Sequence, residues 1–326
     1  MGTAAPLDPA KFRGPSRTAR GEPRARVALR ALETLWLNTG TLCNIECAQC
    51  YIESSPRNDR LEYLRLGDVR PFLDEIRERA LPTRTLGLTG GEPFMNPDVL
   101  ALIDTGLGRG FRVLVLTNAM RPMMRHAAGL LALRARHREG LVLRVSLDHY
   151  TKARHEEERG PRSFESTLDG LHWLAEAGFA VCVAGRTLWG EDVASLRAGY
   201  ARLFAERRLA IDAADPAALV LFPEMDARAD VPEITESCFE KLHVHPDTLM
   251  CASSRMLVKR RGAPHPVVLP CTLLPYDARF ELGATLAAAA GDVPLNHPHC
   301  ARFCVLGGGS CDAGGPSPPR QADRLE

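Results

Sequence analysis

Three cysteines stand close together at Cys43, Cys47 and Cys50, with the spacing C-x3-C-x2-C. Thiolates are soft ligands that favour iron–sulfur clusters or zinc. A closed zinc site takes four ligands, and no further Cys or His occurs between Tyr51 and Leu100. A [4Fe–4S] cluster held by three cysteines leaves one iron open for an added ligand. The spacing therefore favours a cluster with an open iron.

A second candidate site follows a short apolar run. The run Leu86–Thr89 leads directly into Gly90-Gly91-Glu92-Pro93. Glycines after a strand leave backbone groups uncovered, so that a ligand can approach closely. A plain strand-to-helix turn is the alternative interpretation.

The second half of the chain holds another group of cysteines, namely Cys251, Cys271, Cys300, Cys304 and Cys311. They lie in a region rich in proline and glycine that lacks the apolar periodicity of an ordinary core. A metal cluster would help such a region hold one fold. Five cysteines suffice for one [4Fe–4S] cluster but not for two, and Cys300 is the least certain ligand. Zinc, with help from the histidines just before Cys300, is the competing interpretation.

Short apolar runs alternate with amphipathic stretches between residues 34 and 222. The predicted strands are Thr34–Asn38, Thr85–Thr89, Arg112–Thr117, Leu141–Asp148, Phe179–Gly185 and Ala218–Phe222. The predicted helices are Leu66–Arg79, Pro97–Arg109, Pro122–His137, Ser163–Ala177 and Asp192–Arg207. This alternation indicates an α/β fold with a parallel sheet, whose ligand site lies at the carboxyl ends of the strands. Six repeats are too few for a closed eight-stranded barrel, so we expect a partial, TIM-like (β/α)6 barrel with a loop-rich C-terminal iron–sulfur domain.

These patterns divide the chain into four regions. Residues 1–32 are predicted to be a disordered, arginine-rich tail, and residues 33–225 the partial barrel. Residues 226–313 form the predicted auxiliary cluster domain, and residues 314–326 a second disordered tail. The charged stretch His155–Arg159 is interpreted as a solvated loop, with a place at the substrate mouth as the alternative.

The cysteine motif, followed one βα unit later by the Gly90–Pro93 segment, resembles the radical S-adenosylmethionine (radical SAM) superfamily. Many members carry an aromatic residue before the third cysteine; this chain has Gln49 there and Tyr51 after it. That Cys-Tyr ending resembles the branch with extra C-terminal clusters, and the later cysteines resemble a SPASM or twitch domain with an auxiliary [4Fe–4S] cluster. An electron donor such as flavodoxin or ferredoxin is implied.

The resemblance also implies roles for individual residues. The thiols of the first motif would hold the catalytic cluster that binds S-adenosylmethionine, and Gly90-Gly91-Glu92 would receive the amino group of its methionine part. Asn118, Ser146 and Asp148 would supply polar groups for the cofactor or the substrate. Arg186 follows the fifth strand and would pair with the methionine carboxylate. Turn and capping hydrogen bonds are the alternative for each of these residues.

Composition excludes several other classes of function. Lys and Arg number 41 against 40 Asp and Glu, a net charge of +1 that is unlike the basic excess of nucleic-acid-binding proteins. An apolar stretch of about 18 residues is absent, which argues against a membrane span, and a signal peptide is not apparent, so we expect a cytoplasmic protein. The substrate is either a small molecule or a peptide. The alternative function is a non-catalytic iron–sulfur or zinc protein, such as an electron carrier or a sensor.

Overall fold

The computed structural model describes residues 5–311 and contains one large sheet and one small one. Its strands are β1 (Arg26–Val27), β2 (Thr34–Asn38), β3 (Thr85–Thr89), β4 (Arg112–Thr117), β5 (Leu141–Ser146), β6 (Ala180–Arg186), β7 (Leu219–Phe222), β8 (Ser254–Val258), β9 (Val267–Leu269) and β10 (Val293–Pro294). Its α-helices are α1 (Leu66–Glu78), α2 (Val99–Gly108), α3 (Arg121–Met124), α4 (Ala127–His137), α5 (Lys152–Arg159), α6 (Ser163–Glu176), α7 (Val193–Glu206) and α8 (Glu236–Lys241).

The large sheet has eight strands in the order β7-β6-β5-β4-β3-β2-β8-β9. Strands β2 to β7 are those predicted from the sequence. They pair with one another in parallel, and helices connect them along the chain. The prediction of an α/β, partial TIM-like barrel is confirmed. None of the helices in residues 5–311 combines the length and the hydropathy that a membrane span requires.

Two strands of the large sheet come from the C-terminal region and were not predicted. Strand β8 runs parallel to β2, and β9 pairs antiparallel with β8. All five residues of β8 are buried, but the strand is short and prolines and glycines follow it closely. The barrel region and the C-terminal region therefore share one continuous sheet.

The two faces of this sheet bury different sets of side chains. On the outer face, residues such as Leu35 and Leu37 pack against the helices. On the inner face, Trp36 is fully buried and lies over Gly87 of the neighbouring strand, where an added Cβ would come within 2.3 Å of the indole ring. Trp36 belongs to the same apolar cluster as Cys251 and Phe303, so the C-terminal region packs into the inside of the barrel.

The prediction of a disordered tail over residues 1–32 is wrong for residues 5–32. Strand β1 pairs with β10, and Phe12 and Val27 are buried in the inner cluster. The guanidinium of Arg24 is fully buried and lies 2.5 Å from the carboxylate of Glu233. The sequence pattern missed this segment because it is held by polar contacts and by pairing with distant strands. The second predicted tail, residues 314–326, lies outside the described residues.

The buried ion pair makes a test of this packing possible. Glu233 also accepts hydrogen bonds from the backbone N–H groups of Phe12 and Ala19, so Glu233→Ala would leave a buried guanidinium and two N–H groups without their partner. We expect the free energy of unfolding to fall by about 3–5 kcal/mol. The control is Asp247→Ala, which removes the partner of the exposed Arg30 and should change it by less than about 1 kcal/mol. Denaturant titration measures the free energy of unfolding of both variants. Equal losses would contradict the conclusion that the Arg24–Glu233 ion pair holds the N-terminal segment in place.

Candidate active site

A single cleft at the carboxyl ends of β2 to β6 contains all the residues predicted to hold the first, three-cysteine cluster and its cofactor. The loop after β2 supplies the three cysteines, and the turn after β3 supplies the two glycines and Glu92. The ends of β4, β5 and β6 supply the remaining four. The lining includes Cys43, Cys47, Cys50, Gly90, Gly91, Glu92, Asn118, Ser146, Asp148 and Arg186. Parallel strands end at one edge of a sheet, which is why residues so far apart in sequence meet here.

The three thiols of the first motif lie close enough to influence one another electrostatically. Burial raises the pKa of Cys43 to about 12 and that of Cys47 to about 11. Both thiols are therefore protonated at neutral pH without a metal, and cluster binding would have to displace those protons. Within residues 5–311, no three Cys, His, Asp or Glu side chains converge as they would on a single metal ion. Three neighbouring thiols are soft donors of the kind that iron–sulfur clusters take, so the donor set fits a cluster.

The glycines of the Gly90–Pro93 segment serve packing between two loops. A Cβ on Gly90 would come within 2.4 Å of the carbonyl oxygen of Gly40, and one on Gly91 within 2.1 Å of that of Leu42. The N–H of Gly91 donates to the carbonyl of Gly40 at 2.8 Å. The absent side chains therefore let this segment lie directly on the cysteine loop. The sequence interpretation, that the glycines leave room for a ligand, did not include this contact.

Glu92 sits at the centre of a buried hydrogen-bond network. Its carboxylate accepts hydrogen bonds from the hydroxyl of Thr117 and the N–H of Asn118, both at 2.8 Å, and from the N–H of Phe94 at 3.2 Å. Burial raises the pKa of Glu92 to about 7, although the three hydrogen bonds favour the ionised form. The Asn118 amide in turn donates to the side chain of Asn44 at 2.9 Å. Glu92 thus fixes the end of β4 against the cysteine loop.

Helix α5 brings two charged residues, Glu158 and Arg159, into the cleft. The sequence pattern predicts that both belong to a solvated loop. Arg159 donates two hydrogen bonds to the carboxylate of Asp148, at 2.7 and 3.0 Å. Burial acts against the ionised form of Asp148, but the charge and hydrogen bonds of Arg159 outweigh it and lower the pKa. Glu158 pairs with Arg186 at 2.9 Å and also accepts from the N–H of Gln49. The loop interpretation is wrong because this helix buries paired charges instead of an apolar stripe.

Arg186 keeps part of its hydrogen-bonding capacity toward the cleft. Its Nη1 donates to Glu158, while its buried Nε and Nη2 have no partner among the described residues. An unsatisfied buried N–H group costs about 1–3 kcal/mol, so the arrangement calls for an acceptor. Two neighbouring guanidinium nitrogens suit a carboxylate. This geometry fits the carboxylate that the sequence analysis assigned to Arg186.

The auxiliary cysteines lie together on the inner side of the sheet. All five belong to the inner apolar cluster or pack against it. Cys271, Cys300 and Cys304 influence one another and Cys251 electrostatically. Burial raises the pKa of Cys251 to about 11 and that of Cys300 to about 12. Cys300 is therefore not set apart from the others, and Cys311 is the member that also lines the cleft.

Tyr51 and Phe303 connect the cleft to these cysteines. Tyr51 follows the third cysteine of the motif and lines the cleft. It also interacts electrostatically with Cys50, Cys271 and Cys311. Phe303 lies in the π-helical segment Cys300–Leu306 and also lines the cleft. The C-terminal region therefore forms one wall of the cleft.

The close approach of the two loops predicts the effect of a single methyl group. Gly91→Ala would force the Gly90–Pro93 segment off the cysteine loop. We expect a loss of about 1–3 kcal/mol in the free energy of unfolding and weaker iron loading. Gly67→Ala is the control, because nothing lies within 4 Å of its added Cβ in α1. Denaturant unfolding and iron analysis measure both variants, and full iron loading with an unshifted midpoint in Gly91→Ala would contradict the packing argument.

The raised pKa of Glu92 predicts a pH dependence in the metal-free protein. Between pH 4.5 and about 7, the unfolded chain ionises this group while the folded chain keeps it protonated. Stability should therefore fall as pH rises through this window, by roughly 2–4 kcal/mol. Urea unfolding at several pH values measures it. Glu92→Gln should remove this part of the slope and Glu78→Gln, at an exposed site in α1, should not; equal slopes in all three proteins would count against the assignment.

Comparison with known proteins agrees with the fold. Residues 37–193 match the Radical SAM superfamily. The antilisterial bacteriocin subtilosin biosynthesis protein AlbA of Bacillus subtilis is 30% identical over 143 residues, which cover 44% of this chain and 30% of that protein. An AdoMet-dependent heme synthase of Methanosarcina barkeri is 32% identical over 138 residues, which cover 42% of this chain and 37% of that protein.

Solved structures resemble the larger part of the chain. The structure of Streptococcus suis SuiB bound to its precursor peptide SuiA covers 79% of this chain and 63% of SuiB, with a TM-score of 0.57 and 12% identity. This likeness concerns the fold. The matched region spans only 30% and 37% of the two curated relatives. Residues 37–193 enclose the three cysteines, the Gly90–Pro93 segment and the ends of β2 to β6 that line the cleft, so the stretch that is similar to the Radical SAM superfamily is the one that builds most of this site.

Proposed function

We propose that this chain is a radical SAM enzyme that cleaves S-adenosylmethionine reductively and abstracts a hydrogen atom from its substrate. The observation that carries the proposal is the single cleft, which brings the three thiols together with the Gly90–Pro93 segment and with charged groups suited to the cofactor. An electron carrier or a metal-dependent sensor needs no such cofactor cleft beside its metal.

The chemistry would be supplied by the bound cofactors. When bound, the cluster would supply one electron for the reductive cleavage of S-adenosylmethionine to methionine and a 5′-deoxyadenosyl radical, and this radical would become 5′-deoxyadenosine by taking a hydrogen atom from a substrate C–H bond. A donor such as flavodoxin or ferredoxin would provide the electron, and a reducing cytoplasm would suit the cluster.

The residues of the chain would hold and orient these groups. Cys43, Cys47 and Cys50 would ligate three irons. Arg186 has two guanidinium nitrogens to offer the methionine carboxylate. Glu92 and the carbonyl groups of its segment would accept hydrogen bonds from the amino group, which carries only donors when it is protonated. The Asp148–Arg159 pair would close the side of the cleft under α5 and keep water from the radical.

The second group of cysteines would bind an auxiliary [4Fe–4S] cluster. Their mutual proximity, their burial and their place behind the wall of the cleft support this proposal. Such a cluster would accept an electron from the substrate radical or bind the substrate directly.

The substrate class that we favour is a peptide. AlbA takes part in the biosynthesis of a bacteriocin, and SuiB is seen with a precursor peptide. A small molecule is the second candidate, because the heme synthase is as similar to this chain as AlbA is.

The proposal is tested by anaerobic reconstitution with iron and sulfide, followed by dithionite and S-adenosylmethionine. We expect 5′-deoxyadenosine from the native chain and at least a hundredfold less from Cys47→Ala, because the cluster loses one of its three ligands. Cys238→Ala is the matched control, since Cys238 is half-buried in α8 and does not line the cleft. A reducible cluster that yields no 5′-deoxyadenosine, with or without candidate substrates, would overturn the proposal.

A further inference from the structure

Four arginines in residues 5–311 expose less than a tenth of their surface, namely Arg24, Arg144, Arg186 and Arg255. Arg24 and Arg186 each form an ion pair with a glutamate. Arg144 and Arg255 have no carboxylate partner in the described part of the chain. A buried cation without a counter-charge is costly. Because no Asp or Glu of the described chain pairs with Arg144 or Arg255, each of them calls for another negative group nearby.

Arg255 lies at the start of β8 and is completely buried. Its guanidinium donates to four backbone carbonyls, those of Cys251 at 2.7 Å, Ser254 and Ala289 at 2.8 Å, and Gly291 at 3.2 Å. These bonds satisfy its N–H groups but leave its positive charge without a formal partner. The ionisable groups that act on it are the thiols of Cys251 and Cys271.

Arg144 lies on β5, between Leu116 of β4 and Cys182 of β6. Side chains alternate along a strand, so Arg144 shares the inner face with Ser146, which lines the cleft. Its Nη1 lies 3.4 Å from the carbonyl oxygen of Cys311, and its buried Nε has no partner among the described residues. Both arginines that lack a carboxylate therefore contact the backbone of an auxiliary cysteine.

We propose that Arg144 and Arg255 are the counter-cations of the auxiliary cluster and raise its reduction potential. This inference rests on the auxiliary cluster of the proposed function. Four thiolates around a [4Fe–4S] core give an anion, which becomes more negative when it is reduced. A fixed cation in a buried setting stabilises the reduced form more than the oxidised one. The two arginines thus make the cluster a better acceptor for an electron from the substrate side of the cleft.

The experiment uses the full chain with Cys43, Cys47 and Cys50 all replaced by alanine, so that only the auxiliary cluster can load. Iron is counted after anaerobic reconstitution, and the midpoint potential is measured by a redox titration followed by electron paramagnetic resonance. Arg255→Gln and Arg144→Gln should each lower the reduced fraction at a fixed potential about tenfold, which is about 59 mV for one electron. The corresponding lysine variants keep the charge and should stay near the parent value.

Arg197→Gln is the matched control. Arg197 of α7 also donates to backbone carbonyls, those of Ala213 and Leu219, and no auxiliary cysteine acts on it. The same loss of charge there should leave the potential unchanged. If Arg255→Gln fails to fold, Arg144→Gln still tests the inference, because it removes the other cation.

The outcomes separate this inference from the proposed function. Glutamine variants that keep about four irons per chain and show the potential of Arg197→Gln would overturn the role of the arginines while leaving the cluster in place. A triple cysteine variant that holds no iron would overturn the auxiliary cluster itself. A lowered potential in the glutamine variants, recovered with lysine, would support the inference.

Discussion

The cleft depends on one carboxylate. Glu158 at the end of α5 pairs with Arg186 of β6 and accepts a hydrogen bond from the N–H of Gln49, between the second and third cysteines of the motif. The backbone carbonyl of Glu158 accepts from Ala48 as well. A helix that follows β5 is thereby joined both to the end of β6 and to the loop that follows β2. The cysteine loop is also held by the Gly90–Pro93 segment and by the hydrogen bond from Asn118 to Asn44, and Glu158 adds the attachment on the side of α5 and β6.

The part of the site that lies at the ends of the strands could be predicted from the sequence. The strand bounds were predicted well because a buried parallel strand is a continuous apolar run between polar ends, and Thr85–Thr89 and Arg112–Thr117 agree with the structure residue for residue. The residues at the carboxyl ends of such strands must then share one edge. These grounds placed the ligand site at the strand ends, and the family resemblance assigned the cysteines, the glycines and Arg186 to it.

Helix α5 could not be predicted in the same way. Its sequence, Lys-Ala-Arg-His-Glu-Glu-Glu-Arg, has no apolar stripe, and its buried positions are His155 and Glu158. Buried charges are stable only with specific partners. The partner of Arg159 is Asp148 and that of Glu158 is Arg186, and no sequence periodicity relates these residues to the helix. The segment that contains Arg24 escaped prediction for the same physical reason, since its partner Glu233 is 209 residues away.

The fold of the C-terminal region and the shape of the cleft depend on each other. Cys300, Phe303 and Cys304 lie on one π-helical segment, with Phe303 in the wall of the cleft and the two cysteines on the auxiliary side. Such segments are rare and occur often at functional sites. The same region contributes β8 to the sheet, hydrogen-bonded to the strand that leads into the cysteine motif. Ligation of the proposed auxiliary cluster would therefore set the position of a cleft wall and of a barrel strand together, so that a substrate would meet a fully shaped site only when this region is ordered.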